Sequence, residues 1–380
     1  MKHNQYNKDF TFIKQPIDFN KFTEKHLLQY CLGATLYMPG TMDITSKILN
    51  CECYDVTSIV MCFEDAIQEK DLPDAENNVL RHLDELSDAL ENKIITHDSI
   101  PLTFVRVRST EQFKNFSKRL TPKRANVLSG FVFPKFYSYN AFEYLDFLEF
   151  LNKELKTILY GMPILEGKAI AFQETRINEL QNLRRILKTY KDKILNIRVG
   201  GTDFSALFGV RRGINYSIYD ILTVKDCLSD ILNFFNRDGD DFLVSGPVWE
   251  YFLAFKLDDI NQLIEQDIHR SLIGRTPIVN EAIDGLLREV ILDKANGFIG
   301  KTIIHPSHTR FVNALLAVTE EEYEDAMQII ETKGGVVKSN RSNKMNEINP
   351  HLSWAKKIQY RAKAYGVVKD ELSFLKLVMV

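Results

Sequence analysis

The sequence predicts an α/β fold, a (β/α)8 barrel with an N-terminal extension and a C-terminal helical arm. Eight short runs of β-branched and aromatic residues recur along the chain, and amphipathic helical segments separate them. The runs are mostly apolar rather than alternating, as is typical of parallel strands that are covered on both faces. They comprise residues 34–38, 58–63, 102–107, 130–133, 160–165, 194–199, 242–245 and 300–304.

Strands alternating with helices also fit an open, doubly wound sheet, because periodicity does not show whether a sheet closes. The count of eight favours the barrel. No Gly-x-Gly-x-x-Gly motif follows any of the runs, which disfavours a dinucleotide-binding fold. We therefore predict a barrel domain over residues 1–330, including the extension, and an arm over residues 331–380. In that arm the sequence predicts a polar loop, followed by a helix that begins near Ser353.

Composition excludes several classes of protein. The 380 residues are 45% hydrophobic, which is ample for a large core, and the formal net charge of −3 gives no basic face for nucleic acid. No run of 18 apolar residues predicts a membrane span. Cys51 and Cys53 lack a usual zinc spacing, whereas Cys62 lies in an apolar run and is predicted to be a core residue. Free thiols without a signal peptide predict a soluble cytoplasmic protein.

Polar residues follow the predicted strands, where a barrel gathers its catalytic groups. Glu166 follows the fifth run, and Asp203 follows the sixth after Gly200-Gly201-Thr202. Two carboxylates at neighbouring strand ends suit Mg²⁺, which completes its shell with water and substrate oxygens. Each acid taken alone also fits a helix N-terminus. For the pair we favour a magnesium site, because glycines beside it let the backbone approach a ligand closely.

Two cations stand near these acids. Arg106 lies in an otherwise apolar run, where a guanidinium is costly unless it meets an anion. It is predicted to bind a substrate carboxylate, or alternatively to form a structural ion pair with Glu64 or Asp65. Lys135 follows the fourth run and is predicted either to form a Schiff base or to be a solvated charge at the barrel rim.

A pair of histidines follows the eighth run. His305 and His308 flank Pro306, which breaks the helical geometry that a two-histidine metal site needs. We therefore predict a capping or hydrogen-bonding role for them rather than metal binding.

Taken together, the strand ends carry the motifs of a known family. The segments are YMPG at 37–40, CFEDAI at 62–67, VRV at 105–107, FPK at 133–135, ILEG at 164–167, GGTDF at 200–204 and GFIGKTIIHPS at 297–307. In this order they resemble the HpcH/HpaI aldolase and citrate lyase β-subunit family, which includes malyl-CoA lyases. The resemblance covers residues 33–370, and the last segment is its most specific motif.

The resemblance implies a (β/α)8 barrel and a Mg²⁺-dependent carbon–carbon bond lyase, cytoplasmic and homo-oligomeric, that acts on a 2-oxo or 3-hydroxy acid or an acyl-CoA. It implies that Glu166 and Asp203 bind Mg²⁺ and that Arg106 binds the substrate. Glu64 and Asp65 would lie beside the metal and its waters. Lys135, Gly201 and Thr202 are predicted to contact the substrate as well.

In the family an acid on the C-terminal arm reaches the active site of a neighbouring subunit, and Glu347 in KMNEINPH stands in that place. The chain departs from the family after Pro39-Gly40, where Thr41-Met42-Asp43 replaces an arginine-containing turn that is usual there. It resembles more closely a divergent branch found with tellurium-resistance-type stress gene clusters. Two other functions stay open, a Schiff-base aldolase that uses Lys135 and a catalytically inactive binding or assembly subunit.

Overall fold

The computed structural model describes residues 1–50, 55–239, 242–252 and 281–378. Its centre is a seven-stranded parallel sheet with the strand order β6-β5-β4-β3-β2-β1-β7. Cys51 and Cys53 lie outside the described residues. The strands are Ala34–Pro39 (β1), Ser58–Cys62 (β2), Leu102–Arg106 (β3), Gly130–Phe133 (β4), Tyr160–Leu165 (β5), Arg198–Val199 (β6) and Lys301–Ile303 (β7).

Seven of the eight predicted runs therefore contain a strand, and β2 to β6 are buried along their whole length. Burial of both faces explains why these runs are apolar without alternation. The remaining run differs from the prediction, because residues 242–245 form isolated bridges instead of a regular strand.

This bridging segment lies between the two edges of the sheet. Val244 bridges Ile197 beside β6, and Gly246 bridges Lys301 of β7, both in parallel orientation. The amide of Ser245 also donates to the carbonyl of Ile197 at 2.9 Å. Because one segment meets both edges, the sheet is curled, with its edges facing each other.

Helices surround the sheet. The predicted helix over residues 141–155 is confirmed, and it ends at Lys156 in a left-handed conformation. Its leucines pack inward, whereas Phe142 and Phe150 are exposed. The helices are Lys25–Leu28, Thr45–Leu49, Leu72–Glu91, Thr110–Ser117, Pro122–Ala125, Ala141–Leu155, Lys168–Ala171, Gln173–Thr189, Gly201–Leu207, Leu222–Phe235, Glu281–Asn296, Thr309–Leu316, Glu320–Glu331, Ile348–Tyr365 and Leu372–Val378. Among the described residues, no helix combines the length and the apolar character that crossing a membrane requires.

The chain before β1 contacts the amino ends of several strands. His3 lies 3.0 Å from the carbonyl of Cys31 and 3.2 Å from the hydroxyl of Thr57, just before β1 and β2. The ammonium group of Lys21 donates to the carbonyl of Leu128 at 2.7 Å, just before β4. This segment therefore lies at the end of the sheet opposite the functional side chains.

The C-terminal arm contains a hairpin and a long helix. Val336–Lys338 pairs antiparallel with Met345–Glu347, and the helix Ile348–Tyr365 follows at once. The sequence predicted a loop here and a helix beginning near Ser353. The helix is confirmed but begins earlier, at Ile348, and the predicted loop contains the two hairpin strands. The side chain of Asn346 donates to Asp325 on the preceding helix at 2.9 Å, a tertiary contact that local pattern does not reveal.

Candidate active site

A cavity of about 420 Å³ opens at the carboxyl ends of the strands. Parallel sheets present the C-terminal ends of their strands at one edge, and this is where such folds place catalytic groups. Six of the residues predicted from sequence line this cavity, namely Asp65, Arg106, Glu166, Gly201, Thr202 and Asp203. Glu64 and Lys135 lie beside it, as their contacts with these residues show.

Arg106 ends β3 among carboxylates. It forms an ion pair with Glu64 and another with Asp65, from Nη2 to Oδ2 at 2.9 Å. Only 11% of its side chain is exposed. These are the ion pairs that the sequence left as an alternative to substrate binding. Nε of Arg106 is buried and has no hydrogen-bond partner within the described part of the chain.

The loop that carries Glu64 is held in place by Arg108, which sequence reasoning did not single out. Its Nε donates to the carbonyl of Phe63 and its Nη2 to that of Ile67, both at 3.0 Å. The signal was present, because Arg108 follows Arg106 at the end of the same apolar run.

Three carboxylates converge on the ammonium group of Lys135. Its Nζ lies 3.2 Å from Glu64 Oε1, 3.6 Å from Glu166 Oε1 and 3.1 Å from Asp203 Oδ1. The backbone amide of Lys135 also donates to Glu166 Oε1 at 2.8 Å. Lys135 has a left-handed backbone conformation, with φ of 47°, which is uncommon for a residue with a side chain. Strand ends thus place three negative groups around one positive charge.

Gly200 lets the two predicted metal ligands come together. A Cβ atom at this position would lie 2.4 Å from Glu166 Cβ and 3.1 Å from Asp203 Oδ2. No side chain fits in that space, so only glycine allows these carboxylates to approach each other here.

The electrostatics of the cluster favour an additional positive charge. Burial, together with the negative charge of Asp203, raises the pKa of Glu166 to about 7 against the opposing effects of Arg106 and Lys135. Burial by itself would lower the pKa of Lys135, but the negative charges of Glu166, Asp203 and Asp65 leave this pKa above its usual value. Arg106 and Lys135 therefore offset only part of the energetic cost of ionising the buried Glu166.

The carboxylate pair fits Mg²⁺, which in proteins is held by one or two carboxylates together with water and substrate oxygens. The carboxylate oxygens around Lys135 Nζ lie 3.1–3.6 Å from it. They would have to move inward to bind a Mg²⁺ ion at this point, because Mg²⁺–oxygen bonds are typically about 2.0–2.1 Å long. In the four described ranges no three His, Cys, Asp or Glu side chains form a ready metal cluster. Waters and a ligand would accordingly supply the other coordination positions.

Gly201 and Thr202 begin the helix Gly201–Leu207, whose first turn also carries Asp203. The hydroxyl of Thr202 donates to Glu250 Oε1 at 2.7 Å. Both residues line the cavity, at the helix end where backbone amides are without helical partners.

Sequence reasoning missed Arg198 on β6, which lines the same cavity as Tyr37 and Thr302. The signal that identified Arg106, a cation inside an apolar run, is equally present in the run that contains Arg198.

His305 accepts a hydrogen bond from the amide of Ser307, so the capping role predicted for it is confirmed. Its ring also stacks on Phe252, with 4.3 Å between the ring centroids. Cys62 is buried, as predicted for a core residue.

Glu347 lies apart from the cavity of its own chain. It ends the hairpin strand Met345–Glu347, is exposed, and does not line the cavity. Its neighbour Lys344 pairs with Asp325 at 2.7 Å on the helix Glu320–Glu331. The structure therefore does not bring Glu347 together with the other predicted site residues.

Residues 26–367 match the family described as C–C bond lyase of the TIM-barrel fold. The match spans most of the sequence, and the chain belongs to this family. Comparison with curated proteins gave no match.

One solved structure has a similar fold, and two others are more distantly similar. The CitE protein of Mycobacterium tuberculosis, in complex with magnesium, acetoacetate and coenzyme A, is 15% identical with a TM-score of 0.51, over 87% of this chain and 97% of CitE. RipC of Yersinia pestis is 14% identical with a TM-score of 0.45, over 76% of this chain and 95% of RipC. Haloferax volcanii malate synthase is 14% identical with a TM-score of 0.46, over 73% of this chain and 70% of the malate synthase.

Proposed function

We propose that the protein is a Mg²⁺-dependent carbon–carbon bond lyase, or the reverse condensing enzyme, for a 2-oxo or 3-hydroxy acid or its acyl-CoA. One observation supports this most directly, the convergence of Glu64, Glu166 and Asp203 on a single cationic point beside Arg106. The point lies at the carboxyl edge of the sheet, next to a cavity of about 420 Å³.

Glu166 and Asp203 would hold the metal in the place that the ammonium group of Lys135 takes here. Almost half of the Lys135 side chain is exposed, so it can turn toward solvent when a divalent cation enters. When bound, Mg²⁺ would act as a Lewis acid toward the oxygen that becomes negative as the carbon–carbon bond breaks.

Arg106, which lines the cavity, would bind the carboxylate of the substrate with its guanidinium group. Glu64 and Asp65 hold its guanidinium in place, so little conformational entropy is lost on binding. Asp65 is the more exposed of these two acids, which leaves it accessible to exchange a proton with the carbon next to the carbonyl group.

This function is tested by proton exchange, which needs no knowledge of the full substrate. Cleavage breaks a bond to the carbon atom next to a carbonyl or thioester group. The reverse condensation begins by removing a proton from that same carbon atom. With Mg²⁺ in deuterated water, the methyl protons of pyruvate or acetyl-CoA should exchange for deuterium, observed by proton NMR, and EDTA should stop the exchange. A chain that binds Mg²⁺ but exchanges protons of no 2-oxo acid or acyl thioester would instead be a binding subunit.

Arg106→Lys is expected to weaken Mg²⁺-dependent binding of pyruvate by on the order of 1.5–3 kcal/mol, the scale of a charged hydrogen bond. Lysine keeps the charge and loses the planar fork with two donors. Isothermal titration calorimetry measures the change. The matched control is Arg124→Lys, because Arg124 holds Asp84 with two donors at 2.7 Å, away from the cavity. If both variants bind pyruvate with equal affinity, Arg106 has only a structural role.

We further propose that the protein is a homo-oligomer in which Glu347 reaches the cavity of a neighbouring subunit. Glu347→Gln and Arg106→Lys should each lose proton exchange alone and recover part of it in verified mixed oligomers. Recovery is expected because some mixed sites combine an intact barrel with an intact arm. A fully active Glu347→Gln would remove the residue from the mechanism, and mixed oligomers without recovery would contradict the shared site.

The Schiff-base alternative is less well supported. An amine attacks a carbonyl only when it is neutral, which requires a lowered pKa. Carboxylates around Lys135 instead raise its pKa. Trapping of a substrate on Lys135 by borohydride, in the presence of EDTA, would favour this alternative.

A further inference from the structure

Arg198 is a buried cation without a carboxylate partner in the described ranges. It lies on β6 and is 1% exposed. Its Nη2 donates to the hydroxyl of Thr302 at 2.7 Å, and its Nη1 lies 3.4 Å from the hydroxyl of Thr35. Nε has no hydrogen-bond partner in the same ranges. The hydroxyls of Thr302, Thr35 and Tyr37, all of them neutral, are thus the hydrogen-bonding groups around this positive charge.

Such an arrangement is costly, as a comparison within the chain shows. Arg212 is as deeply buried, but it forms ion pairs with Glu289 and Glu250. Burial lowers the pKa of Arg198, while the nearby Tyr37 opposes the shift only in part. A buried charge is normally paired, so an unpaired one that lines a cavity indicates that the missing anion comes from a ligand.

The position of Arg198 connects it to the proposed substrate site. Arg198, Arg106 and Tyr37 line one cavity. The Cζ atom of Arg198 lies 5.4 Å from the centroid of the Tyr37 ring. A ligand held by Arg106 at the carboxyl edge can therefore extend inward to Arg198.

The other charges around the cavity balance only when a divalent cation is present. Arg106 and Lys135 carry two positive charges, and they pair with the four carboxylates Glu64, Asp65, Glu166 and Asp203. A Mg²⁺ ion on Glu166 and Asp203 would supply the two missing positive charges, so Arg198 would remain as one positive charge without a counter-ion. Because the first carboxylate of the substrate is assigned to Arg106, an anion at Arg198 would be a second group.

We propose that Arg198 binds a second anionic group of the substrate, a carboxylate or a phosphate, so that the substrate is a dianionic oxo acid. This inference rests on the proposed lyase function. The planar guanidinium presents Nη1 and Nη2 along one edge, a geometry that suits the paired oxygens of either anion, and the contact of Nη1 with Thr35 is long at 3.4 Å. The hydroxyl of Thr302 would keep Nη2 oriented meanwhile.

Three ligands that share one core test the proposal. 2-Oxobutanoate, oxaloacetate and 3-phosphonopyruvate carry a methyl group, a carboxylate or a phosphonate on the same three-carbon oxo acid. In titration calorimetry with Mg²⁺, one of the two dianions should bind at least about tenfold more tightly than 2-oxobutanoate. The preferred dianion distinguishes a dicarboxylate from a phosphorylated substrate. In Arg198→Met this preference should disappear, while the affinity for 2-oxobutanoate stays the same.

A second measurement separates this inference from the lyase function. Without Mg²⁺, inorganic phosphate should raise the melting temperature of the wild-type protein and have no such effect on Arg198→Met. Arg212→Met, which removes an equally buried but paired arginine, should keep the phosphate effect. Arg198→Met should itself melt at or above the wild-type temperature, because it removes an unpaired buried charge.

The outcomes are distinct. An equal phosphate effect and an equal preference for dianions in wild type and Arg198→Met would overturn the inference. A phosphate effect that depends on Arg198, without Mg²⁺-dependent binding of any oxo acid, would keep the anion site and contradict the lyase function. Mg²⁺-dependent binding of all three ligands with equal affinity would keep the lyase function and contradict the role of Arg198.

Discussion

Glu166→Gln and Asp203→Asn are each expected to weaken Mg²⁺ binding by more than about a hundredfold and to slow proton exchange by about a thousandfold or more. Both replacements keep the shape of the side chain and remove its charge, and a neutral amide is a poor ligand for a hard cation. Calorimetry with Mg²⁺ and NMR of proton exchange measure the two effects. Unchanged Mg²⁺ affinity in both variants would show that the metal does not bind here.

Glu166→Gln should leave the protein folded. Burial raises the pKa of Glu166 to about 7, so its ionised form is the less favourable one in the folded protein. The resulting loss of stability grows as the pH rises from the unfolded pKa to about 7 and stays constant above it. At pH 8 and without metal, Glu166→Gln should therefore melt at the wild-type temperature or above it. The matched control is Glu179→Gln, which replaces another buried glutamate, one that accepts from the amide of Ser138. It should keep Mg²⁺ binding.

Arg212→Met is expected to lower the free energy of unfolding by about 3–5 kcal/mol, the typical cost of removing one partner from a buried ion pair. Arg212 and Glu289 form an ion pair with side chains that are each 1% exposed. Lys301 of β7 also contacts Glu289 Oε2 at 3.2 Å and Asp293 Oδ2 at 2.7 Å. Without Arg212, two buried carboxylates would share one lysine.

Urea unfolding followed by circular dichroism measures this loss. Arg124→Met serves as the control, because its pair with Asp84 is partly exposed and should contribute less than about 1 kcal/mol. If both variants unfold at the same urea concentration, the buried network does not stabilise the fold. The network joins β7 to the helix Glu281–Asn296, so its loss should be felt at that edge of the sheet.

The strands were predictable from sequence because burial on both faces produces apolar runs that end abruptly at polar residues. Glu166 and Asp203 follow such runs directly, so their closeness follows from parallel pairing of neighbouring strands. Their participation in metal binding stays a prediction. The run 242–245 has the same composition as the others, but residue type does not reveal that it forms only isolated bridges.

Other parts of the site depended on tertiary structure. The sequence does not show that Lys135 adopts a left-handed backbone conformation, or that its amide and ammonium group both contact Glu166. Arg198 carried the same signal as Arg106, but only the structure shows that no carboxylate pairs with it within the described ranges. The hairpin before Ile348 likewise depends on a contact between Asn346 and the helix before it.

The close approach at Gly200 gives a criterion for other sequences of this fold. A single added methyl group would lie 2.4 Å from Glu166 Cβ, so even alanine would push the two carboxylates apart. A homologue that keeps both acids but has alanine or serine here would be expected to have lost the shared pocket, although its acidic residues look intact in an alignment. Glycine at this position, together with the two acids, is therefore a better sign of an intact site than the two acids alone.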